Sequence, residues 1–180
     1  MKILKELCYR LRGEYTTEKL KKMGMVCGKN FLRLNGVILD PSHCWLITIG
    51  DNVTMAPRVH VLCHDASTKC FLNYTKIGRV TIGNNVFIGA ETVVLPNVKI
   101  GDNVIIGANS TVTKDIPNNV VAVGNPARVI CSIEDYLQKH KELIGKCPTF
   151  DESYTLRRDI SSTKKEEQRQ ALEDTWGYVD

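Results

Sequence analysis

The chain has 180 residues, 43% of them hydrophobic, which suits one domain with appendages and a real core. Its 24 basic and 20 acidic side chains leave a net charge of only +4, so charge gives no argument for nucleic acid and only mildly favours an anionic ligand. The seven cysteines are irregularly spaced without a CxxC, the start MKILKELCYRLRGEY lacks an apolar segment, and no apolar run reaches transmembrane length; these point to a cytoplasmic protein with reduced thiols and no membrane span.

Residues 1–24 read as an N-terminal helical cap. Ile3, Leu4, Leu7, Cys8 and Leu11 form a stripe at helical spacing, closed by Gly13, with a membrane-surface helix as the alternative reading. Thr16 or Thr17 is placed to cap a second short helix through Leu20 to Met23, stopping at Gly24. From Cys27 a degraded repeat begins, in which Phe31, Leu34, Val37 and Leu39 alternate with polar residues until DPSHCW, Asp40 to Trp45, interrupts it. Register firms at Ile49, Met55 and Val61, then slips: the interval from Val61 to Ile82 is 21 residues, not a multiple of six. Residues 65–76 therefore read as a loop thrown out of the repeat, polar apart from Phe71 and Tyr74.

From Ile82 to Pro117 the period is six without a break. Branched aliphatics stand at Ile82, Ile88, Val94, Ile100, Ile106 and Val112, and a second small or branched residue at Val86, Thr92, Val98, Val104, Ser110 and Ile116. Six matches neither a helix nor a flat amphipathic strand; it matches a coil of short strands joined by tight corners, where one hexad cannot bury its apolar face until its neighbours stack on it. Beyond it, VVAV reads as a last strand and Gly124-Asn125-Pro126 as a tight turn. Ser132 opens a helix that ends at Gly145, so 131–145 is a C-terminal helix. Residues 146–180 are a polar tail carrying Trp176 and Tyr178, readable either as a helix lying on a neighbour or as a partly disordered segment.

The hexads, the TKD of Thr113 to Asp115 and the VGNPARVI of Val123 to Ile130 together resemble the hexapeptide-repeat acyltransferases, in the branch of the maltose, galactoside and capsular-sugar O-acetyltransferases. The resemblance spans about residues 25–140. It implies an all-β solenoid, a left-handed parallel β-helix over 25–130, assembled as a homotrimer with active sites between subunits. It also implies transfer of an acetyl group from acetyl-CoA to a hydroxyl of a sugar or polysaccharide precursor, with no metal.

Carried over residue by residue, the resemblance makes His64 the general base, an imidazole held at the lip where the chain leaves the coil. Asp65, next to it, is expected to anchor the loop instead of orienting the imidazole, since neighbours on a strand point opposite ways. The backbone N–H around Ala90, after Gly89, is the expected oxyanion donor, and Ala108, after Gly107, would let the pantetheine arm pass. Thr113 and Lys114 would hold the coenzyme and Arg128 meet its phosphates, while a further basic position of relatives falls at Cys131. Asn35, Asp40, His43 and Trp45 are the acceptor-pocket candidates, Asp40 as a sugar-binding carboxylate and Trp45 either stacking on a sugar or simply packing. Two other readings compete: a metal enzyme of the carbonic-anhydrase kind drawing on His60, Cys63, His64 and Cys70, and a non-catalytic trimeric scaffold.

Overall fold

The computed structural model describes residues 14–180, so the helical stripe expected from Ile3 to Leu11 lies outside them. Helix α1 (Thr17–Lys22) starts where Thr16 caps it, its hydroxyl accepting the Lys19 N–H at 3.2 Å, and it drops Leu20 into the core. The chain then turns at Gly24 with φ +108°; a Cβ there would stand 2.9 Å from that of Trp45.

The strands that follow are short because each hexad supplies only one. They come in sets of three: β1 (Val26–Cys27), β2 (Leu32–Arg33) and β3 (Ile38–Leu39), then β4 (Ile47–Ile49), β5 (Thr54–Met55) and β6 (His60–Val61). A hairpin of β7 (His64–Asp65) and β8 (Lys76–Ile77), with helix α2 (Lys69–Leu72) at its tip, interrupts the series. It resumes with β9 (Val80–Ile82), β10 (Val86–Ile88) and β11 (Val93–Val94), then β12 (Val98–Ile100), β13 (Val104–Ile106) and β14 (Thr111–Val112), and ends with β15 (Val120–Val123) and β16 (Arg128–Ser132). A first sheet runs β1-β4-β9-β12, a second β2-β5-β10-β13-β15-β16 and a third β3-β6-β11-β14, all parallel except the last pair. Successive strands visit the three sheets in rotation, so the chain winds as a three-sided coil.

In the regular part, paired residues are 18 apart, three hexads per turn, as in Val86↔Val104 and Val94↔Val112. All twelve inward positions from Ile82 to Ile116 are buried. Two of them are polar, and both are satisfied at a corner: the hydroxyls of Thr92 and Ser110 donate to the Gly107 carbonyl at 3.1 and 2.7 Å. The corner between the first and second sheets is lined by stacked asparagines in the left-handed region, Asn30, Asn52, Asn85, Asn103 and Asn119. Each amide from Asn30 to Asn103 donates to the next oxygen at 2.8–3.0 Å. Asn tolerates that backbone conformation, and the ladder satisfies its side chain as well.

The coil is broken twice. Across the first turn, partners are 22 apart (Leu32↔Thr54, Ile38↔His60), and the excess sits in Asp40–Leu46, where Cys44–Leu46 forms a 3-10 turn. Across the second they are 33 apart (Met55↔Ile88, Val61↔Val94), and the excess is the hairpin arm. Both breaks fall at the same corner, between the third sheet and the first. The arm differs from the loop expected over 65–76: His64 and Ile77 are already paired within it, so His64 stands on the arm's first strand and not on the coil.

Residues 134–180 form a separate compact unit. Helix α3 (Ile133–Ile144) carries His140, whose Nδ1 lies 2.8 Å from the Tyr178 hydroxyl and whose ring packs 4.4 Å from that of Tyr136. Trp176 closes the same cluster at 6.1 Å from His140. Strands β17 (Thr149–Phe150) and β18 (Tyr178–Val179) pair in parallel, and Ser161 caps α4 (Ser162–Ala171). The segment is folded around a cluster of half-buried aromatic rings, none of them fully buried. No helix among the described residues is long and apolar enough to cross a membrane.

Candidate active site

The twice-broken corner brings His64 together with Asp40, His43 and Trp45, which lie 19 to 24 positions earlier in the chain. Asp40 directly follows β3, one turn below the end of β6, so its N–H donates to the Val61 carbonyl at 2.9 Å and its side chain lies under the start of the arm. Its carboxylate is only 1% exposed, and both oxygens are taken. Oδ1 accepts the Ser42 N–H at 3.0 Å; Oδ2 accepts the Cys63 N–H at 2.9 Å and lies 2.5 Å from His64 Nδ1. Burial pushes this carboxyl up, but the hydrogen bonds from His64, Cys63 and Ser42 together hold it below its ordinary 3.8. Asp40 is thus ionised at neutral pH, an acceptor with no proton of its own. The proton between the two groups then sits on His64 Nδ1, so in the neutral imidazole the lone pair is on Nε2.

Asp40, expected at an acceptor pocket, is turned inward here and hydrogen-bonded to the imidazole, because it follows β3 directly and lies one turn beneath Cys63 and His64. The sequence signal was the four-residue slip between Leu39 and Ile47, visible as DPSHCW breaking the repeat. Asp65 does something else. It forms an ion pair with Lys76 at 2.6 Å, accepts the Ser67 N–H at 2.8 Å, and is held far below the ordinary carboxylate range by them; it ties the two legs of the arm together.

His43 and Trp45 complete the corner. The His43 ring centroid is 5.3 Å from those of both His64 and Trp45, so three rings run outward from the buried carboxylate to a Trp that is 54% exposed. Asn35 does not join them; it is exposed in the turn between β2 and β3, at the corner of the second and third sheets.

The coenzyme candidates divide between two corners. Gly89-Ala90 and Gly107-Ala108 stack one turn apart where the second sheet passes to the third, with the Asn109 N–H donating to the Ala90 carbonyl at 2.7 Å. Gly89 is required there by packing, since a Cβ would stand 2.4 Å from the Ala108 nitrogen. Arg128 opens β16, opposite Val123 on the second sheet, and is exposed. Thr113 and Lys114 are exposed at the other corner, the one that carries His64 further down the coil.

The ligand set of the competing metal reading, His60, Cys63, His64 and Cys70, does not come together among the described residues. Burial and the nearby Asp40 push the Cys63 thiol up to about 12, which disfavours a thiolate ligand. Among the described residues, the grouping with ligand-like spacing is Asp40, His43 and His64, one ligand atom of each lying within 4.8 Å of the others, without His60, Cys63 or Cys70.

Comparison with known proteins agrees with this architecture. Residues 79–114 match the bacterial transferase hexapeptide model, six repeats. The chain is 43% identical over 143 residues to protein CapG of Staphylococcus aureus, covering 76% of this chain and 83% of CapG. Its structure is similar to that of a maltose O-acetyltransferase from Clostridium difficile 630, with TM-score 0.55, 44% identity, and 61% of this chain and 59% of that one covered. It is also similar to a galactoside acetyltransferase in complex with coenzyme A, with TM-score 0.52, 36% identity, and 67% and 71% covered. The chain thus spans most of CapG but under two thirds of the maltose enzyme. On the repeat match and on the extent of its likeness to CapG, the chain belongs to the hexapeptide-repeat acyltransferase family.

Proposed function

We propose that this protein transfers an acetyl group from acetyl-CoA to a hydroxyl of a sugar or glycan precursor, with His64 as general base and Asp40 as its positioning residue. The observation that carries the reading is the 2.5 Å pair between His64 Nδ1 and the buried, ionised Asp40. That pair fixes the tautomer, leaves Nε2 to take the acceptor proton, and stabilises the imidazolium that forms as oxygen attacks the thioester carbonyl. His64 is partly exposed at its side chain, so an acceptor can reach it. The Ala90 N–H is the proposed oxyanion donor, with Ala108, Thr113, Lys114 and Arg128 along the coenzyme path. Trp45, at the outer end of the ring series, offers a face for a sugar ring.

His64 and Ala90 lie at different corners of one chain, so a complete site needs a second copy packed against the third sheet. This supports a homotrimer of left-handed β-helices, each coil spanning about residues 25–130, as in the family it belongs to. The coenzyme A complex of the galactoside enzyme supports the donor, and the maltose and galactoside enzymes support a sugar acceptor. The test is release of coenzyme A thiol from acetyl-CoA across a panel of sugar acceptors. His64→Ala is expected to lower turnover about 10²–10⁴-fold. A variant that turns over at the wild-type rate would remove His64 from the role.

A further inference from the structure

We infer that Asp40, His43 and His64 form a binding site for a single divalent ion of the zinc class, and that an ion held there switches the transferase off. The site's existence stands on geometry alone; only the switching rests on the function proposed above.

Two independent observations point to it. One ligand atom from each of the three residues lies within 4.8 Å of the others. Separately, His43 Nδ1 is buried and has no hydrogen-bond partner. A buried ring nitrogen left without a partner is destabilising, and a metal ion would satisfy it. Two imidazoles and one carboxylate are the donors of many three-ligand zinc sites, which leave a fourth position for water. Nitrogen and oxygen donors suit Zn²⁺, Cu²⁺ or Ni²⁺, whereas Mg²⁺ and Ca²⁺ take oxygen almost alone. Ligand atoms about 2.1 Å from one tetrahedral ion stand about 3.4 Å apart, so the widest pair, at up to 4.8 Å, has to close by up to about 1.4 Å. The rings of His43 and His64 already lie 5.3 Å apart and tilted by 39°, and rotation about their side-chain bonds is the movement that would close the set.

Binding disables the base whichever nitrogen His64 uses. Through Nδ1, the ion takes the position of the proton shared with Asp40, and that proton leaves to solvent. Through Nε2, it occupies the lone pair that would accept the acceptor's proton. No bond of the protein is made or broken otherwise, and a chelator reverses it.

The experiment uses the full chain, stripped with chelator, and titrates Zn²⁺ by calorimetry and Co²⁺ by visible absorption. The expected result is one ion per chain with the visible bands of low-coordinate Co²⁺ and no comparable uptake of Mg²⁺. His43→Gln is expected to weaken binding at least about 10-fold, while His43→Cys, which restores a ligand, binds again with added sulfur-to-cobalt charge transfer. Because Cys70 is exposed, Cys70→Ser serves as the control and is expected to bind as the wild type does. No stoichiometric uptake, uptake unchanged in His43→Gln, or uptake lost in Cys70→Ser would each overturn the site. Zn²⁺ is expected to stop acetyl transfer and chelator to restore it; full turnover with the ion bound would overturn the switch. A metal-free protein that transfers no acetyl group counts against the proposed function instead, and the cobalt spectrum still decides the site.

Discussion

The carboxylate of Asp40 sits at 1% exposure and yet stays charged, because two main-chain N–H groups and the His64 ring all point at it. Removing its charge while keeping its shape should therefore hit catalysis more than folding. Asp40→Asn is expected to lower kcat by about 10²–10⁴-fold, as loss of the orienting acid does in other triads and dyads, with the KM for acetyl-CoA nearly unchanged. A rise in KM with kcat intact would show instead that Asp40 meets substrate. The same pair has a pH signature. Unfolded, Asp40 titrates at its ordinary 3.8; folded, it titrates lower, so between the two the unfolded chain binds more protons and stability rises with pH. The contribution is complete above the ordinary value and is lost as pH falls through the folded one. The Tm difference between wild type and Asp40→Asn should be flat from neutral pH down to about pH 5 and shrink below about pH 4. A difference that stays constant through that range would contradict an ionised, hydrogen-bonded Asp40.

At the level of elements, the coil is held by what happens at its corners as much as by its aliphatic interior. Asn85 stands in the left-handed region at φ 54°, accepts from Asn52 at 3.0 Å and donates to Asn103 at 2.9 Å. Asn85→Ala loses both hydrogen bonds and leaves a Cβ in the left-handed region without the short polar side chain that tolerates it, about 1–2 kcal/mol in all. Asn85→Gly loses the same bonds but relaxes the backbone, so its Tm should fall less than that of the alanine variant. Equal losses would mean the ladder's hydrogen bonds carry the whole effect. The hexad made this coil legible in advance, since inward places recur locally and every one from Ile82 to Ile116 is buried. The arm was legible only as an interruption. That it is an antiparallel hairpin with His64 on its first strand depends on the pairing of His64 with Ile77, which no local period announces.

At the level of the molecule, the proposed site is split between two corners of the coil, and that division carries a prediction about assembly. Sedimentation should show a trimer. Mixed assemblies of His64→Ala chains with chains blocked at the other corner by Ala90→Trp should recover activity in roughly a quarter of their sites, because a heterologous interface pairs one intact corner from each kind of chain. No recovery in verified mixed trimers would place the whole site within one subunit. Composition and period were enough for the stacked coil, its buried positions and the phase slips at Asp40–Trp45 and 65–76, because a solenoid repeats the same local demand in every hexad. Nothing local could pair Asp40 with His64, 24 residues away, or His140 with Tyr178, 38 away. Those meetings depend on register. The excess residues of two successive turns leave the coil at one corner, and stacking then lays the buried carboxylate directly beneath the imidazole it orients.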